Sequence, residues 1–350
     1  MTRPTLSTAR PRLSHIELLR IIAMLMVLVL HAAYESLGYP SPRRLQSDPA
    51  GWAGIIFTGQ TCICCVDVFV LITGWFGTHF KAAGFRRLVY QVCFVSFVIC
   101  AAVWAIEGKR PGSWSEMAAT CTGYWFINSY LLLYIFSPVL NTFAEHAERT
   151  EMRRFLIIYF LLCIPLSFVF RDLNRGFSAL SFFGLYLWGR YLRLYLSAEL
   201  QRVRARLFLI IFAVSVGCMT AAFWAYVYFR CTFLPSFPSF MTAYTNPFVM
   251  LNATCLLLFF SRLHFTCRTV NFLAAGSLAA YLTHQHPYVR QHYLALIRSL
   301  HHDYPTPLFL LLAAAVIAAI FLLSVGLEHF RAFSTHLIGR IMRVAAPNRE

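Results

Sequence analysis

The feature that most restricts this chain is the recurrence, along all of its 350 residues, of apolar runs about twenty residues long separated by short polar intervals. A helix needs about 20 mostly apolar residues to cross the hydrocarbon of a bilayer. Ten such runs are found, near 14–34, 53–78, 88–106, 122–142, 155–171, 178–195, 207–228, 246–263, 271–289 and 307–327. The expected fold is therefore all-α, a polytopic membrane bundle of about ten transmembrane helices forming a single domain over residues 1–350. Composition agrees: 59% of residues are hydrophobic and 13% charged, against about 45–50% and about 25% in soluble domains.

The formal net charge is +16, yet the arginines fall singly or in pairs between apolar runs, with no basic tail and no basic face interleaved with aromatics. That pattern argues against a nucleic-acid partner. Membrane topology accounts for it better. With the N-terminus in the cytoplasm, the inner segments hold 20 of the 30 basic residues and the outer ones 9, Arg20 lying inside the first run. Cytoplasmic segments carry the excess of Lys and Arg, so both termini are expected there. The first run follows Arg3, Arg10 and Arg12 and ends at His31 without a small-residue cleavage site, which reads as a permanent span. No long repeat period supports a solenoid or an inverted-repeat transporter. The eleven cysteines are scattered through apolar segments, as small hydrophobes are; neither a disulfide nor a metal site is expected, and Cys62, Cys64 and Cys65 point different ways on one helix.

Ionisable groups inside a span are costly and mark candidate sites. In the first run Arg20 and His31 are eleven residues apart. At 3.6 residues per turn that is almost three full turns, so both project from one face about 16 Å apart along the axis. Glu17 precedes Arg20 by three residues, the spacing of an ion pair on that face. Arg20 can hold a phosphate or carboxylate, and His31 can take a proton from an attacking hydroxyl; equally, Arg20 suits an interfacial anchor and His31 a hydrogen-bonded helix-end histidine. Asp67 is the only acidic residue deep in a run and requires a partner, water or a proton, in either a structural or a catalytic role. His284 and His286, near the end of the ninth run, reach the side of the membrane that His31 reaches, but two residues apart on a helix they diverge by about 160°, so at most one joins it. The aromatics of the outer interval from Phe229 to Thr245 suit either sugar stacking or a loop at the membrane interface.

These residues resemble the acyltransferase-3 family of membrane O-acyltransferases, in its polysaccharide-modifying type. Glu17-Leu18-Leu19-Arg20-Ile21-Ile22-Ala23 followed by His31 is similar to that family's opening span, with an arginine, ten intervening residues and a histidine. Val68-Phe69-Val70-Leu71-Ile72-Thr73-Gly74-Trp75-Phe76 resembles its second-span motif, with Thr73 where a serine is usual. Tyr124-Trp125-Phe126, with Tyr130 to Tyr134 and Ser137-Pro138, resembles the fourth span, and Tyr281-Leu282-Thr283-His284 the late histidine-bearing one. The resemblance implies an O-acetyltransferase of the bacterial cytoplasmic (inner) membrane that binds no cofactor. It takes an acyl group from acetyl-CoA or another acyl-CoA in the cytoplasm to a hydroxyl of a lipid-linked or polymeric glycan. His31 is then the base or a transient acyl carrier, Arg20 orients the donor, Glu17 holds Arg20, and Asp67 is a candidate partner that would fix the tautomer of His31. The competing expectations are an exporter of a glycan or small solute lined by the same polar groups, and a membrane glycosyltransferase or polysaccharide polymerase.

Overall fold

The computed structural model describes residues 13–108, 114–169 and 174–345. Arg3, Arg10, Arg12, Lys109, Arg110, Arg171 and Arg349, which entered the count of charges by side, lie outside the described residues, as do both chain ends and the last two residues of the run at 155–171. Among the described residues every regular element is helical, as hydrocarbon demands of a chain that must satisfy its own backbone.

Among the described residues seven helices are long and apolar enough to cross a membrane: Ser14–Ser36, Pro49–Phe76, Ala82–Ile106, Trp125–His146, Arg149–Val169, Ala205–Tyr228 and Thr306–Leu337. The main elements are α1 (Ser14–Leu30), continued by a π turn over His31–Ser36; α2 (Pro49–Cys62); α3 (Cys65–Phe76); α4 (Ala82–Glu107); α5 (Trp125–His146); α6 (Arg149–Val169); α7 (Ala179–Tyr191); α8 (Ala205–Tyr228); α9 (Pro247–Phe260); α10 (Arg268–Ala274); α11 (Ser277–Gln285); α12 (Pro287–Asp303); and α13 (Thr306–Ala345).

The other three apolar runs are shorter or broken. The run at 178–195 is the 13-residue α7 and a π turn, that at 246–263 the 14-residue α9, and that at 271–289 is divided among α10, α11 and the start of α12. The breaks have local causes. Asn246 caps α9 by accepting from the Phe248 amide, with Pro247 in the first turn; such a pair starts a helix and cannot sit inside one. Pro287 has no N–H to continue α11, and His286 turns the chain there with extended φ/ψ.

Helix α3 sits at the centre, against α1, α7 and α9. Its crossing with α7 is set by two glycines. A Cβ on Gly74 would collide with the Tyr186 carbonyl, and one on Gly189 would lie 2.8 Å from the Leu71 carbonyl. Small residues let membrane helices approach at backbone distance, which replaces the hydrophobic drive absent in lipid. Gly74 of the Thr73-Gly74-Trp75 segment is thus a packing residue. Gly74→Ala and Gly189→Ala are each expected to cost about 1–3 kcal/mol, as overpacking does; the midpoint of thermal unfolding in detergent should fall for both, whereas Gly217→Ala, where a Cβ meets open space, should leave it unchanged.

Candidate active site

The face of α1 foreseen from the spacing opens onto a cavity of about 570 Å³ lined by Glu17, Arg20, Met24, Val27 and His31 in succession. Across it stand Thr73 of α3, Arg87 and Gln91 of α4, Trp125 to Ile127, Tyr130 and Tyr134 of α5, Tyr281 of α11, and Glu328 and Arg331 of α13. Two ends differ in chemistry.

At one end are three arginines. Arg20 donates from Nη1 to Glu17 Oε1 at 2.6 Å, the ion pair predicted by the i,i+3 spacing. Buried Arg331 grips buried Glu328 with two bonds of 2.8 and 2.6 Å, and Gln91 Nε2 donates to the same carboxylate at 2.9 Å. Arg87, one turn before Gln91, lines the cavity as well and has no ion pair among the described residues. Glu17 and Glu328 each neutralise one arginine, which leaves the site with surplus positive charge suited to an anion.

At the other end is His31. Its Nδ1 lies 2.9 Å from His284 Nε2 and 2.7 Å from Gln285 Nε2. The far nitrogen of His284, Nδ1, is 2.7 Å from the Ala280 carbonyl. A carbonyl only accepts, so His284 Nδ1 carries the hydrogen, and neutral His284 then accepts at Nε2. With the Gln285 amide turned over, so that its oxygen takes the place of Nε2, His31 donates from Nδ1 to His284 Nε2 and to that oxygen. These tautomers follow from the hydrogen-bond network. The consequence is a lone pair on His31 Nε2. The residue facing that nitrogen is Glu35, whose Oε1 is 3.8 Å away while its Oε2 accepts from Arg290 Nη2 at 3.0 Å.

Of the two late histidines, His284 joins His31 and His286 does not; His286 caps α12 and lies 4.0 Å from the Cys100 sulfur. Thr73 lines the cavity and donates its hydroxyl to the Phe69 carbonyl one turn back. Asp67 is fully buried, and among the described residues neither of its oxygens is hydrogen-bonded to His31 or to any other group; the histidine's hydrogen-bond partners are His284 and Gln285. The loop aromatics divide: Tyr244 reaches the cavity and stacks on Trp125 at 5.8 Å, while Phe237 and Phe240 pack on a small second core around Leu45 and Phe223. Gln285, Glu35, Arg87, Arg290, Glu328 and Arg331 did not stand out in the sequence as site residues. Glu35 alone carried a readable signal, four residues after His31.

Selective ¹⁵N-histidine NMR is expected to find His31 with its hydrogen on Nδ1 and Nε2 bare, and His284→Ala to weaken that bias by removing one of the two acceptors at Nδ1.

No curated protein and no solved structure matches the chain. A family model described as an acyltransferase domain, that of acyltransferase-3, matches residues 13–329. The match takes in both ends of the cavity except Arg331, which lies two residues past its end, and with seven membrane-length helices among the described residues the chain belongs to the acyltransferase-3 family of membrane acyltransferases.

Proposed function

We propose that the protein is an O-acyltransferase that moves an acyl group, acetyl above all, from cytoplasmic acyl-CoA to a hydroxyl of a cell-surface or lipid-linked glycan. The observation that carries this reading is one cavity with surplus arginine charge at one end and the His31 imidazole at the other. Acyl-CoA has the same polarity, phosphates at one end and a thioester at the other, joined by a long neutral arm. Arg20, with Arg87, holds the phosphates; Glu17 fixes the fork of Arg20. The donor is a substrate, and no bound cofactor takes part.

The reaction needs one proton moved twice. His31 Nε2 takes the proton of the acceptor hydroxyl as its oxygen attacks the thioester carbonyl. The C–S bond breaks as the tetrahedral intermediate collapses, and the leaving thiolate receives the proton from His31, which regenerates the base. An enforced tautomer matters here because the wrong one would present N–H to the hydroxyl. Trp125 and Tyr244, which line the same cavity as His31, offer an aromatic face on which a sugar ring can rest. In the membrane the protein is read with about ten spans, the shorter helices α7, α9 and α10–α11 completing the seven long ones, and with both termini in the cytoplasm of a bacterial inner membrane.

His31→Ala is expected to lower acyl transfer by about 100- to 10,000-fold in a protein that still folds, as loss of a general base does. Arg20→Ala should raise the KM for acetyl-CoA by about 10- to 100-fold, the worth of a charge-assisted hydrogen bond, with a smaller change in kcat. Both are read by transfer of label from acetyl-CoA to glycan in membranes, with mass spectrometry locating the added acetyl. Acetyl-CoA left unconsumed by wild-type protein, with glycan moved across the membrane, would instead favour export. For topology, a C-terminal alkaline phosphatase fusion is expected to be inactive and a green fluorescent protein fusion bright.

A further inference from the structure

Glu35 has a geometry that the proposed reaction does not yet use. It lies in the π turn, His31–Ser36, that continues α1. Wide turns of this kind inside helices recur at functional sites. Here the turn is clamped from outside by one face of α12, whose residues 290, 294 and 298 recur every four positions. Arg290 binds Glu35, the Leu294 carbonyl accepts from Ser36 Oγ at 2.6 Å, and Arg298 Nε donates to the Ser36 carbonyl at 3.2 Å. Tyr293, on the same helix, donates to the Leu28 carbonyl at 2.8 Å. The π turn and the carboxylate on it are therefore held by α12, not left to the end of α1.

The charged and titratable groups facing His31 are Glu35 from its own segment, His284 from α11 and Arg290 from α12. His284 and Gln285 occupy Nδ1, and Glu35 stands opposite Nε2. At 3.8 Å its oxygen is too far to be hydrogen-bonded, so the lone pair is not blocked. A shift of ~1 Å would bring it to the 2.7–2.9 Å of a charge-assisted bond.

We infer that Glu35 is a positioning residue for His31, one that pairs with the imidazolium formed when Nε2 takes up a proton and is held off the neutral base by Arg290. This rests on the reading of His31 as the base. No covalent bond to Glu35 forms, and the proton stays on Nε2 until it passes to the thiolate. The carboxylate makes His31 a stronger base without competing for the hydroxyl, because Arg290 takes one of its oxygens and the distance keeps the other away. Without Glu35, proton uptake would create a cation with no counter-charge beside it in a buried site, and an opposite charge at this range shifts protonation equilibria by about one to three pH units.

The test is ¹⁵N-histidine NMR of the full-length protein in detergent across pH, with His31→Asn identifying the His31 signal. Glu35→Gln is expected to move the protonation midpoint of His31 at least about one unit lower, and Glu35→Asp to move it less. Arg290→Gln should move it higher, since it removes a positive charge and frees the carboxylate to close. A midpoint unmoved in both Glu35→Gln and Arg290→Gln overturns the inference, and if the former fails to fold, the latter alone decides it. In membranes supplied with labelled acetyl-CoA and their own glycans, Glu35→Gln should lower kcat about tenfold or more with the KM for acetyl-CoA unchanged, and the acid limb of its pH profile should extend to lower pH. A purely structural Glu35 would lower the yield of folded protein and leave that limb in place. Absence of transfer by wild-type protein would refute the proposed reaction, yet the NMR shifts would still report whether Glu35 pairs with His31.

Discussion

In hydrocarbon a polar side chain without a partner is expensive, so the few that this chain places inside its helices must find one another. Glu17 meets Arg20, Gln91 and Arg331 meet Glu328, and His31 meets His284. All three sets stand along or beside one cavity. The pairing keeps these groups at the interior and leaves the lipid-facing surfaces to exposed Leu, Ile, Val and Phe such as Leu161 and Val139. The glycine crossing of α3 and α7 does the complementary work by bringing two backbones together at the centre, so that α3 can present Thr73 to the cavity while its other side is dense. Asp67 departs from the pattern, buried beside Cys64 and Cys65 with neither oxygen hydrogen-bonded among the described residues.

What was legible in the sequence is what a single helix determines. The eleven-residue spacing of Arg20 and His31 puts both on one face whatever surrounds them, and both line the cavity. The divergence of His284 and His286 on a helix likewise allowed only one to reach His31, and His284 is that one. Partners on other helices were not legible, because apolar packing carries no code for which segment lies opposite. A lone intramembrane carboxylate therefore makes Asp67 the candidate to orient His31, whereas Gln285, one residue past His284, carries no signal in the sequence. Arg87 and Arg331 read in the sequence as charges that set topology, although side-chain reach lets an arginine near a helix end also line an interior mouth. Span counting has a related limit. An apolar window does not register Asn246-Pro247 or Pro287, so three runs were counted as full spans that fold as short or broken helices.

The broken helices are where the chemistry gathers. A continuous ninth span would carry His284 and His286 past each other along one axis; the stop at His286-Pro287 lets α11 end with His284 and Gln285 turned toward α1, while α12 departs to clamp the π turn. Two interruptions, one in α1 and one after α11, thus meet at the same imidazole. An unbroken pair of helices offers side chains only at fixed rotations. The interrupted pair instead places a hydrogen-bond acceptor on one nitrogen of His31 and a carboxylate near the other, from opposite sides of the ring. In the proposed reaction that geometry has a directional meaning. The donor's thioester reaches His31 along the cavity from the arginine end, and the acceptor must come past the π turn and α12, so Nε2 is the point where two substrates from opposite faces of a membrane can share one proton.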